Sequence, residues 1–149
     1  MAFGYRYTLE RQKNGRWLVR FPGIPEARTE GETDAEARAK AAVRVIAALD
    51  RYMKAGLPLP HKGAARNGPN RVALPSLVTA KLAVYQRLRE RKWSKLKLAK
   101  ALGMPENTVR RLLDLRHNSQ MWIIDEALKT MDAELAIDLP KAKVKRKLA

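Results

Sequence analysis

Polar and apolar residues alternate in two early stretches. Over residues 5–11, Tyr5, Tyr7 and Leu9 fall on one face and Arg6, Thr8 and Glu10 on the other. Over residues 16–21, Trp17, Val19 and Phe21 share a face. A period of two in aromatic and β-branched residues predicts half-buried strands. Asn14-Gly15 lies between them, and suits the positive φ angles of a tight hairpin. Pro22, Gly23 and Pro25 then end the second strand, because proline cannot donate to a ladder. A short third strand is expected near Ala27–Glu30. At Thr33 the period changes. Thr33-Asp34-Ala35-Glu36 fits a capping box, with the Thr33 hydroxyl on a first-turn N–H and Glu36 reaching back to the Thr33 N–H. The helix it opens is predicted over residues 34–55, with Ala39, Ala42, Ile46, Leu49 and Met53 as its apolar stripe and Gly56 as its stop.

Residues 57–70 are rich in Pro and Gly and have no period, which predicts a loop or hinge. Arg71–Pro75 offers one more strand. The order β-β-β-α-β defines a small antiparallel sheet carrying one helix, an α+β domain over residues 1–75. A second, all-α domain is expected over residues 76–139. Its first helix runs from Ser76 to about Lys92, with a stripe of Leu77, Val84 and Leu88 and with Val78, Leu82 and Tyr85 beside it. Ser94 caps a short helix, Lys95–Leu102, which Gly103 ends, and Pro105 opens another that runs to Asp114. A last helix is predicted over residues 121–131, from Ile124, Ala127, Leu128 and Met131 at i, i+3, i+4 and i+7. Leu135, Ile137 and Leu139 alternate as a short terminal strand would. Residues 140–149 form a basic tail with no period, expected to be disordered.

The stretch KLKLAKALGMPENTVRRLLD is the most specific pattern. A helix-turn-helix packs two short helices through a tight turn. It needs a small residue at the crossing, here Ala99, and a left-handed turn residue four positions on, here Gly103. Six further on it needs an aliphatic residue facing the core, here Val109. Leu98, Leu102 and Leu112 fill the same core. The alternative is a plain pair of helices without a nucleic-acid role. Charge decides between them. The 149-residue chain has 31 Lys and Arg against 15 Asp and Glu, a formal net charge of +16. Residues 87–116 hold ten of the basic groups and three acids. Such a surface suits a polyanion. As a recognition helix, residues 105–114 would present Asn107 to adenine and Arg110 or Arg111 to guanine. Lys95, Lys97, Thr108, Arg116 and Asn118 are better placed for phosphates. Glu106 is either a cytosine contact or a second cap.

Against this basic background, residues 21–37 concentrate five of the fifteen acids: Glu26, Glu30, Glu32, Asp34 and Glu36. Asp34 and Glu36 suit the positive end of the helix dipole. The cluster lacks the Asp-x-Asp spacing and glycine of a calcium loop. His61 and His117 stand far apart in loop-like segments, so no metal site or cofactor is expected. There is no nucleophile constellation, so no catalysis is expected. With no cysteine there is no disulfide or thiolate site. No stretch has the apolar length of a membrane span or signal peptide, and a cytoplasmic protein is expected.

Two segments carry a family resemblance. YRYTLERQKNGRWLVRFPGIPEARTEGETDAEARAKA, with the LPLP that follows the helix, resembles the HicB antitoxins of type II toxin–antitoxin systems. VTAKLAVYQRLRE with KLAKALGMPENTVRRLLDLRHNSQ resembles the subfamily that carries a helix-turn-helix. The resemblance implies a first domain with a truncated ribonuclease-H-like fold that binds and blocks a HicA-type mRNA-cleaving toxin. It implies a second domain that represses its own operon by binding operator DNA as a homodimer or higher oligomer. Phe21, Pro22, Gly23, Ile24 and Pro25 would then form an apolar anchor on the toxin, with Glu26, Glu30 and Glu32 facing its positive charge. Antitoxins of this kind are commonly more acidic than this chain. A stand-alone regulator whose first domain oligomerises or senses another partner is the second reading.

Overall fold

The structure, a computed structural model, describes residues 4–60 and 70–139. The described residues are α+β, a three-stranded and a two-stranded antiparallel sheet with one helix, followed by four helices. The first predicted strand is one run of chain with two partners. Its start, β1 (Gly4–Arg6), pairs antiparallel with the strand over 71–73, and its continuation, β2 (Thr8–Arg11), pairs with β3 (Trp17–Phe21). At the switch, the Tyr7 N–H donates to the Asn70 carbonyl at 2.9 Å. The strand expected after the long loop therefore forms as β5 (Arg71–Ala73). Residues 61–69, most of the expected loop, lie outside the described residues, as does the basic tail.

The third strand, β4 (Ile24–Gly31), is twice as long as the sequence suggested. Phe21 and Ile24 are register partners, so Pro22 and Gly23 form a turn from which the chain returns at once. Pro25 is tolerated because β4 is the edge of the order β2-β3-β4, where a missing N–H breaks no ladder. A register shift between Val19 and Phe21 lets Ile24 and Ala27 both face inward, although their spacing is odd. Plain alternation has no way of showing that.

Helix α1 (Asp34–Lys54) starts as predicted, with the Thr33 hydroxyl accepting the Glu36 N–H at 3.1 Å. The Glu36 carboxylate reaches back one residue further than expected, to the Glu32 N–H at 3.2 Å. The buried stripe also differs. Ala37, Ala41, Val45, Ala48, Leu49 and Met53 face the sheet, while Ala39 is exposed and Ala42 and Ile46 are half-buried. Close approach explains the rotation. A Cβ on Gly31 would lie 2.5 Å from the Ala37 nitrogen, so the helix rests directly on the β4 backbone through its small residues. Leu49 and Met53 are buried as their spacing predicts, and the stripe departs from the prediction in the N-terminal half of the helix.

Helices α2 (Ser76–Glu90), α3 (Lys95–Leu102), α4 (Glu106–Leu112) and α5 (Met121–Thr130) follow. On α2, Val78, Leu82, Val84, Tyr85 and Leu88 are buried, and Leu77, expected in the stripe, is half-buried. On α5, Ile124, Ala127 and Leu128 are buried, as is Met131 just beyond it, as their spacing predicts. Leu135–Leu139 do not form a strand. Ile137 is 81% and Leu139 86% exposed, and alternation alone cannot make a strand without a neighbour to pair with. The two parts of the chain are docked. Their buried apolar residues form one contiguous cluster, and the Tyr85 hydroxyl of α2 donates to the Leu57 carbonyl at 2.6 Å. No described helix is long and apolar enough to cross a membrane.

Candidate nucleic-acid interface

The α3–α4 pair has the geometry its sequence specifies. The Ser94 hydroxyl accepts the Lys97 N–H at 3.0 Å and opens α3. At its end Gly103 takes φ 66° and ψ 30°. The Met104 N–H donates to the Ala99 carbonyl at 3.0 Å and the Gly103 N–H to that of Lys100 at 3.2 Å, the two bonds of a Schellman cap. Leu98, Ala99, Val109 and Leu112 are buried and Leu102 is half-buried. α4 is therefore held with its outer face in solvent.

That face carries Asn107, Arg110 and Arg111, all exposed, with Thr108 half-buried. Arg110 bonds Glu106 at 3.1 Å, one turn back, so the Glu106 carboxylate, in the first turn of α4, engages a neighbouring side chain. Arg111 makes no ion pair among the described residues. Thr108, Arg111 and Asn118 line a cleft of about 310 Å³ together with His117, Ser119 and Gln120, over Leu112 and Ile123. Lys95 and Lys97 stand apart on α3, and the Lys97 ammonium sits 4.8 Å from the centre of the Trp93 ring. Arg116 is exposed, with its guanidinium 3.6 Å from Asp114 and 3.8 Å from Asp50.

The segment after α4 is held by residues that the sequence reading missed. Lys81 of α2 is wholly buried, and its ammonium donates to the carbonyls of Arg111 (3.0 Å), Asp114 (2.6 Å) and His117 (2.6 Å). Three acceptors match the three donors of a lysine ammonium. Burial pushes the Lys81 pKa below the usual lysine range, while Asp114 and Asp50 pull the other way. The Arg116 N–H, donated to Asp114 at 2.9 Å, holds the Asp114 carboxyl below the ordinary carboxylate range. Asp50 of α1 accepts the buried Leu115 N–H at 3.1 Å. A signal for Lys81 was present. It is a charged residue at helical spacing from Val78, Val84 and Tyr85, inside an apolar stripe.

The acids of residues 26–36 are satisfied locally. Glu30 and Glu32 flank the Arg16 guanidinium at 3.4 and 3.6 Å. Asp34 pairs with Arg38, and Glu36 with Lys40 at 2.6 Å. A hydrogen bond to Glu26 raises the Tyr52 pKa. Of the five residues expected as an apolar anchor, Phe21 and Ile24 are buried beneath the sheet, because the tight turn makes them a cross-strand pair facing α1. Only Pro22, Gly23 and Pro25 reach the surface, next to exposed Glu26.

The described residues thus combine a sheet-and-helix unit with a capped helical pair whose outer face carries exposed arginines. Residues 4–83 match the family described as HicB_like antitoxin of bacterial toxin-antitoxin system. Antitoxin HicB 1 of Photorhabdus laumondii subsp. laumondii is 29% identical over 135 residues, covering 91% of this chain and 86% of that protein. Antitoxin HicB of Escherichia coli is 28% identical over 133 residues, covering 89% and 96%. Antitoxin HicB of Pseudomonas fluorescens is 28% identical over 143 residues, covering 95% and 97%. The chain belongs to the HicB-like antitoxin family.

Proposed function

We propose that this antitoxin has two working domains, residues 1–75 and 76–139, and acts in the cytoplasm on two partners. The first domain binds and blocks a HicA-type mRNA-cleaving toxin. The second docks α4 in the major groove of its own operator and represses the operon. The observation that carries the DNA half is the capped α3–α4 pair, with Arg111 exposed beside Thr108 and Asn118 and in no ion pair among the described residues. Asn107, Arg110 and Arg111 read base edges, and Lys95, Lys97, Thr108, Arg116 and Asn118 hold phosphates. The toxin surface is Pro22, Gly23, Pro25 and Glu26, continuing to Glu30 and Glu32. The protein acts as a homodimer or higher oligomer, with the exposed Ile137 and Leu139 on the C-terminal side supplying contact surface.

Two measurements test this. Fluorescence anisotropy with the DNA upstream of the protein's own reading frame should give tight binding that weakens steeply with salt. Co-expression with the small neighbouring reading frame should restore growth and yield a co-purifying complex. Specific DNA binding without a toxic neighbour would support a stand-alone regulator. The ion pairs that already occupy Glu30 and Glu32 favour that second reading.

A further inference from the structure

α4 ends at Leu112 and α5 begins at Met121. Arg116 and Asn118, two of the phosphate-binding candidates, lie on the irregular segment between them. Its backbone is gripped from outside the α3–α5 bundle. Lys81 takes the carbonyls of Arg111, Asp114 and His117. Asp50 takes the Leu115 N–H, which lies between two of them in the chain. The two side chains thus fix one short stretch through its acceptors and its donor.

Asp50 is the telling member, because it comes from α1, in the sheet-and-helix unit. Its side chain is 7% exposed. One carboxylate oxygen, Oδ2, forms the helical pair with Lys54 at 2.6 Å and lies 3.8 Å from the Arg116 Nε. The other, Oδ1, is given to Leu115. A helical ion pair needs an exposed carboxylate only, so it explains neither the burial nor the second bond. A buried N–H left without an acceptor is costly, so Leu115 would move if Asp50 were removed.

We infer that Asp50 is a positioning residue for the DNA site, supplied by the other part of the chain. It sets the 113–118 backbone and, through it, the reach of Arg116 to phosphate. This rests on the DNA-binding reading given above.

The test uses the full chain and the DNA upstream of its own reading frame. Asp50→Ala should weaken binding about 10-fold at moderate salt and reduce the slope of log K against log[salt] by about 1, one phosphate contact. Asp50→Asn keeps an acceptor for Leu115 and should stay within about 2-fold of wild type. General destabilisation lowers the melting temperature and leaves the slope alone. Amide exchange at residues 113–118 gives a readout free of DNA, expected to be about 10-fold faster in Asp50→Ala. If Asp50→Ala does not fold, Asp50→Leu, of similar shape and without an acceptor, takes its place. Wild-type protein that binds no such DNA overturns the function on which the assignment rests. Wild-type binding with affinity, slope and exchange unchanged in Asp50→Ala overturns the assignment alone.

Discussion

The β4–α1 corner and the α3–α4 surface carry charges of opposite sign and treat them in opposite ways. At the corner, Glu30, Glu32, Asp34 and Glu36 each meet Arg16, Arg38 or Lys40 within a few ångströms, and the pairs are exposed. On the helical surface Arg110 is tied to Glu106, while Arg111 has no ion pair among the described residues and Lys97 rests over Trp93. There the fully partnered charge is hidden, as Lys81 under the segment that follows α4. Counting charges along the chain finds both regions. The field each presents to a partner depends on pairing, which the count does not contain. Paired surface charge contributes little to stability, whereas a buried, fully bonded charge can be essential to local structure.

Four measurements would break or sharpen this contrast. The largest effect is expected for Lys81→Met, which keeps the volume but leaves three carbonyls without a donor. It should lower unfolding free energy by about 3 kcal/mol in denaturant titration. A loss below about 1 kcal/mol would mean that the segment rearranges freely. Next, Arg111→Ala should reduce operator affinity by about 1–3 kcal/mol. Arg110→Ala should cost less, since Arg110 must first leave Glu106. Anisotropy at one fixed salt concentration compares them, and equal losses would show that the Glu106 pair does not restrain Arg110. Arg16→Ala should change unfolding free energy by no more than about 1 kcal/mol, because its pairs are solvent-screened. A larger loss would make the corner a structural clamp.

The smallest effect is in acid. Neighbouring donors hold Asp114 and Glu36 below their ordinary pKa values, the Arg116 N–H for Asp114 and Lys40 for Glu36. A depressed folded pKa adds stability above the unfolded value, and that stability is lost as pH falls through the folded one. Melting temperature should therefore decline as pH drops below about 4. Asp114→Asn and Glu36→Gln should each flatten that decline. A decline as steep in both variants as in the wild type would assign acid sensitivity to other groups.

Much of the architecture was legible because it rests on local rules. Thr33, Ser94 and Gly103 define helix ends through bonds to residues within a few positions. The α5 stripe follows from spacing, since that helix buries one face. Other features were not legible. The α1 stripe was right at Leu49 and Met53 and misplaced in the first half of the helix, where Gly31 lets small residues approach the sheet. Phe21 and Ile24, expected in an apolar anchor for a partner, are core, because a two-residue turn pairs them across strands. The Leu135–Leu139 alternation found no partner strand among the described residues. In the candidate site, Ala99, Gly103 and Val109 stood out by their mutual spacing. Asp50 and Lys81 did not, since each acts on backbone more than 25 residues away.

By itself the sequence determined the α+β class, the helix caps, the α3–α4 motif and the sign of each charged region. Those depend on torsional preferences, on bonds between near neighbours and on composition. Tertiary structure alone decided which face of α1 is buried and which charges are already paired. It also decided that an aspartate from the first unit holds the Leu115 N–H of the second. These are consequences of distant backbone coming within hydrogen-bonding distance, and no short window of sequence encodes that.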